Sequence, residues 1–181
     1  MKPQFKENKA TEAAAYFLKL QGSKMPHLKL MKLLYLAERA ALLKLGHPIT
    51  FDSCVSMPFG PVLSMTLNLI HGDVELSGYW NKAITPPTNH EVELLDDPGD
   101  DNLSEAEIEI INCVFKEHGT KDQWELKEFT HTLEEWQDPK GSAIKIEYKE
   151  ILKAGGMTES EIESILEDIE TLALMDSYTG H

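Results

Sequence analysis

Seven histidines, two cysteines and 31 acidic side chains are the raw material for chemistry in this 181-residue chain, and their spacing decides what they can build. No histidine stands with a carboxylate in the His-Glu-x-x-His pattern of zinc hydrolases. No Gly-x-Ser-x-Gly nucleophile elbow and no glycine-rich phosphate loop occurs. Cys54 and Cys113 are too few for a disulfide framework or a four-thiolate zinc site, and they read as small buried apolar groups in a reducing cytosol. The run Asp96-Asp97-Pro98-Gly99-Asp100-Asp101 is acidic, but it lacks the spacing of an EF-hand. No catalytic residue, no cofactor and no metal ligand is therefore assigned, and the chain is not expected to be an enzyme. A triad gathered from distant residues leaves no mark in a sequence, so an enzyme with an unrecognised site stays as a third reading.

The elements that must position these residues are mainly helical. Leu28 to Leu45 is a long apolar-rich segment closed by Gly46 and Pro48, which predicts a helix with a sharp stop. At 100° per residue, Lys29, Lys32, Arg39 and Lys44 share one arc of about 140°, and the rest is apolar. So wide an apolar arc places this helix at the centre, packed by neighbours on two sides. Glu38 falls in the middle of that arc. A carboxylate there needs a partner or its pKa rises; a buried hydrogen bond is the expected role, a functional acid the alternative. Further helices are expected at 11–22, 61–71, 104–118, 121–137 and 159–175, the first with Thr11 as N-cap. Gly60-Pro61 is read as opening the third, with proline at its first position. Ser104 to Glu107, Thr120 to Gln123 and Thr158 to Glu161 read as capping boxes. Residues 80–95 read as a hairpin turning at Pro86-Pro87-Thr88-Asn89. The expected fold is thus a compact, mainly α domain of about six helices with a small antiparallel β-hairpin. It is expected to occupy 1–157, with an acidic helix and tail, 158–181, packed on it.

Charge is unevenly placed. Residues 1–72 carry 9 Lys/Arg and 4 Asp/Glu, a net of +5, whereas residues 73–181 carry 8 and 27, a net of −19. Only the first third has the sign that nucleic acid requires, and its basic helix is too buried for a groove, so direct nucleic-acid binding is not expected. No apolar stretch of membrane-spanning length occurs, and the N-terminus has no signal-peptide pattern. A cytoplasmic location with no membrane partner follows.

Taken in order, four segments resemble the Panacea domain family of SocA-like antitoxins: LKLMKLLYLAERAALLKLGHPI (28–49), MPFGPV (57–62), LSEAEIEIINCVFKEHG (103–119) and ELKEFTHTLEEW (125–136). Ile-Glu-Tyr at 146–148 is similar to a short segment that follows in that family. The matching positions include Lys29, Leu33, Tyr35, Glu38, Gly60, Pro61, Thr130, His131 and Trp136. The resemblance implies a protein antitoxin of a bacterial or phage toxin–antitoxin pair, neutralising a cognate protein toxin by direct binding. A proteolytic adaptor that delivers the toxin to a protease is the alternative, with the acidic helix or the tail SYTGH as the protease surface. The family supplies no catalytic residues, and the matching positions are expected to be structural, with direct toxin contact the second option. The acidic helix from 158 onward is not part of the shared pattern. Toxins acting on tRNA or nucleotides carry basic surfaces, which Glu163, Glu167 and Glu170 would complement. Tyr79, Trp80, Trp124 and Tyr178 are the candidate aromatic anchors, whichever are exposed.

Overall fold

A computed structural model describes residues 3–73 and 78–179; Gly180 and His181 of the tail lie outside the described residues. Among those described, eight helices and two small antiparallel sheets form in the order α1 (Glu7–Leu20), β1 (Lys24–Pro26), α2 (His27–Leu45), β2 (Cys54–Met57), β3 (Gly60–Leu63), α3 (Ser64–His71), α4 (Tyr79–Ala83), β4 (Glu91–Glu93), α5 (Glu105–His118), α6 (Gln123–His131), β5 (Ile144–Ile146), α7 (Tyr148–Ala154) and α8 (Glu159–Thr179). No helix among the described residues is long and apolar enough to cross a membrane.

The central helix is α2, as the apolar arc requires. It is packed by α1, α5, α6, α7 and β3, with Leu30, Leu33 and Tyr35 fully buried. Gly46 ends it in the left-handed conformation, φ 78°, and donates its N–H to the Leu42 carbonyl. Packing goes further than the arc implies. Lys29 and Lys32 are buried as well, so this helix is enclosed on its basic side too and each cation must find an oxygen. Glu38, also buried, accepts hydrogen bonds from the N–H groups of Ile49 at 2.7 Å and Thr50 at 2.9 Å, and from the Thr50 hydroxyl. It thereby holds the chain that leaves α2.

Five expectations are corrected. Gly60-Pro61 does not open a helix: Gly60 to Leu63 is strand β3, paired antiparallel with β2, which also pairs with β5. Helix α3 begins at Ser64 because the buried Asp52 carboxylate accepts the N–H groups of Met65 and Thr66, each at 2.8 Å. The hairpin at 80–95 is also replaced. Residues 79–83 form helix α4, since Trp80 and Ala83, three apart, both turn into the core, and β4 pairs with β1 instead. A remnant of the expected return survives as isolated bridges, Ile84 with Leu94 and Thr88 with Glu91. The box placed at Thr120 sits at Asp122 and Glu125, and α6 ends at His131 rather than 137. Cys113 is exposed, whereas Cys54 is buried.

Smaller shifts have local reasons. Thr11 is not a cap but lies inside α1, its hydroxyl donating to the Glu7 carbonyl. Helix α7 was not anticipated; it starts at a Glu147–Glu150 capping box. The boxes at Ser104–Glu107 and Thr158–Glu161 form as the sequence pattern implies.

Glu38 generates a stability test. Burial raises its carboxyl to about 7 from an ordinary 4.5. The folded protein therefore keeps a proton that the unfolded chain releases, and this group's contribution to stability declines as pH rises from 4.5 to 7. In urea unfolding, Glu38→Ala orphans two buried N–H groups and is expected to cost about 2–4 kcal/mol. Glu38→Gln keeps the acceptor, and should gain on the wild type as pH rises through that window.

Candidate partner-binding site

Five motif positions, Gly60, Pro61, Thr130, His131 and Trp136, meet at one turn, while Lys29, Leu33, Tyr35 and Glu38 serve other contacts of α2. Strands β2 and β3 are joined by Pro58-Phe59, with Met57 opposite Gly60 in register. Three carbonyls of this hairpin accept from side chains in the segments that resemble the family, Lys32 in 28–49 and His131 and Trp136 in 125–136. Trp136 Nε1 donates to Met57 O at 3.0 Å, His131 Nε2 to Pro58 O at 3.1 Å, and Lys32 Nζ to Pro61 O at 2.9 Å. The His131 and Trp136 rings stack, with centroids 4.0 Å apart and planes 18° apart. The backbone N–H of Gln137 reaches Ser56 Oγ at 3.2 Å. The segment carrying Trp136 is itself anchored to α2. Buried Glu135 accepts from Tyr35 OH at 3.0 Å and from Arg39 Nε at 2.5 Å. Lys29 donates to the Gly119 carbonyl at 2.7 Å, which ties α2 to the end of α5.

Gly60 is required here. Its φ is +106°, and a Cβ on it would lie 2.6 Å from Thr130 Oγ1 and 3.0 Å from Lys32 Nζ. No side chain fits between the turn and the buried groups beneath it. The result is a rigid knob, with Phe59 at its tip and 55 % exposed. The ring meets Trp124 edge-to-face at 6.4 Å, and Lys127 Nζ lies 4.9 Å above it. Trp124 is itself 53 % exposed. Phe59 separates two surface pockets, of about 340 and 320 Å3, that share His27 and Leu28. Trp124, Gln123 and His90 line the first, and Met31, Met57, Val62, Leu67 and His71 line the second. These groups suit recognition: apolar walls and aromatic rings, with donors at the rim. Among the described residues, no group of His, Cys, Asp and Glu could hold a metal ion.

The remaining candidates are scattered. Tyr79 and Tyr178 are exposed, but Trp80 is buried at 1 % and fills the core, so it is removed from the surface anchors. Glu163, Glu167 and Glu170 are exposed on α8, and Leu33 is buried in α2. Phe59 was not singled out in the sequence. Its signal was there, an aromatic residue at the tip of Pro-Phe-Gly-Pro, but reading Gly60-Pro61 as a helix start concealed the turn.

The basic third presents little basic surface. Lys6, Lys9, Lys19, Lys24 and Arg39 pair with Asp176, Glu107, Asp97, Glu91 and Glu135, and Lys29 and Lys32 are buried. Among the described residues up to 72, Lys44 alone is exposed without an ion pair.

The family model for the SocA-like antitoxin Panacea domain matches residues 30–137, a span that holds α2 from Leu30 onward, the β2–β3 turn and the Trp136 segment. The chain belongs to this family. No curated protein and no solved structure matches it.

Two substitutions probe the scaffold of the turn. Gly60→Ala is expected to destabilise by about 2–4 kcal/mol in urea unfolding, through strain and the clash with Thr130. Lys32 gives a pH signature. Burial lowers its amine to about 7 from 10.5, so between those values the unfolded chain holds a proton that the folded protein has released. Stability from this group therefore rises with pH across that window and is flat below 7. In Lys32→Met that rise should vanish when unfolding midpoints are compared with the wild type.

Proposed function

We propose that this chain is a protein antitoxin that neutralises a cognate protein toxin by direct binding in the cytoplasm, with the Phe59–Trp124 surface as the contact. Membership of the antitoxin family supports the first part of this reading. The observation that carries the second is the bracing of the β2–β3 hairpin: Lys32, His131 and Trp136 each hold one of its carbonyls, Thr130 lies close beneath Gly60, and the tip is an exposed phenylalanine. A core alone has no need to hold an apolar ring in water. Held in advance, the ring loses little entropy on binding, and an aromatic knob beside two pockets matches the anatomy of a binding hot spot.

Steric block follows if the toxin's working surface lies beneath that knob, and no chemical step by the antitoxin is involved. The test is growth rescue in cells expressing the protein encoded by the adjacent gene, together with measured binding. Phe59→Ala should weaken binding about 30-fold or more, the loss typical of a hot-spot truncation, and abolish rescue while leaving the unfolding midpoint unchanged. Rescue that persists unchanged in Phe59→Ala overturns this contact. Rescue that disappears in cells lacking a cytoplasmic protease, with binding intact, replaces block with delivery.

A further inference from the structure

Helix α8 lies outside the residues matched by the family model, and its outer face has a composition of its own. Ile162, Ile169 and Ala173 are buried, and α8 packs on α7. Counted at 100° per residue, Glu163, Glu167, Glu170, Leu174 and Tyr178 fall within an arc of about 80°, roughly a third of a turn from the buried stripe. All five are exposed, Leu174 by 48 % and Tyr178 by 88 %. Met175, 59 % exposed, lies about 60° beyond the Tyr178 edge of that arc. One continuous stripe thus begins with three carboxylates and ends in apolar side chains. A helix face that serves only as solvated surface would keep polar residues to its end.

We infer that this stripe is a second docking surface, whose partner is a basic protein surface with an apolar depression beside the charge. The inference rests on the antitoxin reading and names the chemistry of the partner. Charge decides between occupants. Among the described residues, neither Glu163 nor Glu167 has an ion-pair partner, while Lys149 pairs with Glu159 at 3.8 Å and Lys6 with Asp176 at 3.6 Å. A second copy of this chain, with its net charge of −14, would bring acid against acid, and its own basic third is largely paired or buried. A basic protein meets neither obstacle. Carboxylates at the rim would then steer the encounter, and Leu174 and Tyr178 would hold the complex.

Association and dissociation of the full chain are measured against the product of the adjacent gene, at about 50 and about 300 mM salt, which spans strong to weak screening. The triple variant Glu163→Lys, Glu167→Lys, Glu170→Lys should slow association about tenfold at low salt, with much less effect at high salt. The double variant Leu174→Ala, Tyr178→Ala should speed dissociation about 30-fold at both salts. Thermal melts by circular dichroism establish that both variants fold. If wild type binds and both variants match it while Phe59→Ala loses binding, the α8 stripe is overturned and the antitoxin reading stands. Absence of binding by the wild type overturns both. A dimer of the chain alone, seen by sedimentation and lost in the double variant, makes a second copy the occupant and overturns the basic partner.

Discussion

The amine of Lys32 lies in the packed core with the Pro61 carbonyl as its hydrogen-bond partner, 2.9 Å away. Taking an amine out of water costs several kcal/mol unless protein oxygen replaces the water. That requirement fixes the height at which β3 crosses α2 and so places the hairpin. With the strand there, Gly60 sits directly over Thr130 and Lys32, and only glycine can occupy the position. Lys29, Tyr35 and Arg39 face the same constraint along the same helix. Their partners, the Gly119 carbonyl and Glu135, bring in the end of α5 and the segment after α6. Helix α2 is therefore an organiser as much as a hydrophobic core, because each polar side chain it buries recruits another element.

The two proposed surfaces rest on different physics. At Phe59 the backbone is clamped through three carbonyls before any partner arrives, so affinity can come from apolar burial with little ordering cost. On α8 the side chains are long, exposed and charged, which favours fast encounter over tight holding, until the apolar end of the stripe is engaged. Phe59 and Trp124 lie within the span matched by the family model and helix α8 beyond it.

Helix signals that act within a few residues were legible in the sequence. The Ser104–Glu107 and Thr158–Glu161 boxes and the Gly46 stop appear where the pattern places them, because donor and acceptor are neighbours in the chain. The partner of Glu38 was legible as a need, though not as a residue. At Gly60-Pro61 local chemistry misled: proline suits a first helical turn, but pairing with β2 over Cys54 to Met57 outweighed it. At 79–83 a strand-like aromatic segment became a helix because Trp80 had a core to fill.

By itself, then, the sequence determined the helical character, the central helix, the charge division between the two parts of the chain and the family resemblance. All of these depend on composition, periodicity or contacts between near neighbours. Only the tertiary structure decided that Lys29 and Lys32 of α2 are buried, that Trp80 is core, and that Phe59 is held out on a braced turn. Each of those depends on groups tens of residues apart, such as Lys32 with Pro61 or Trp136 with Met57. Burial and partnership at such range are properties of the packed whole, and no local pattern encodes them.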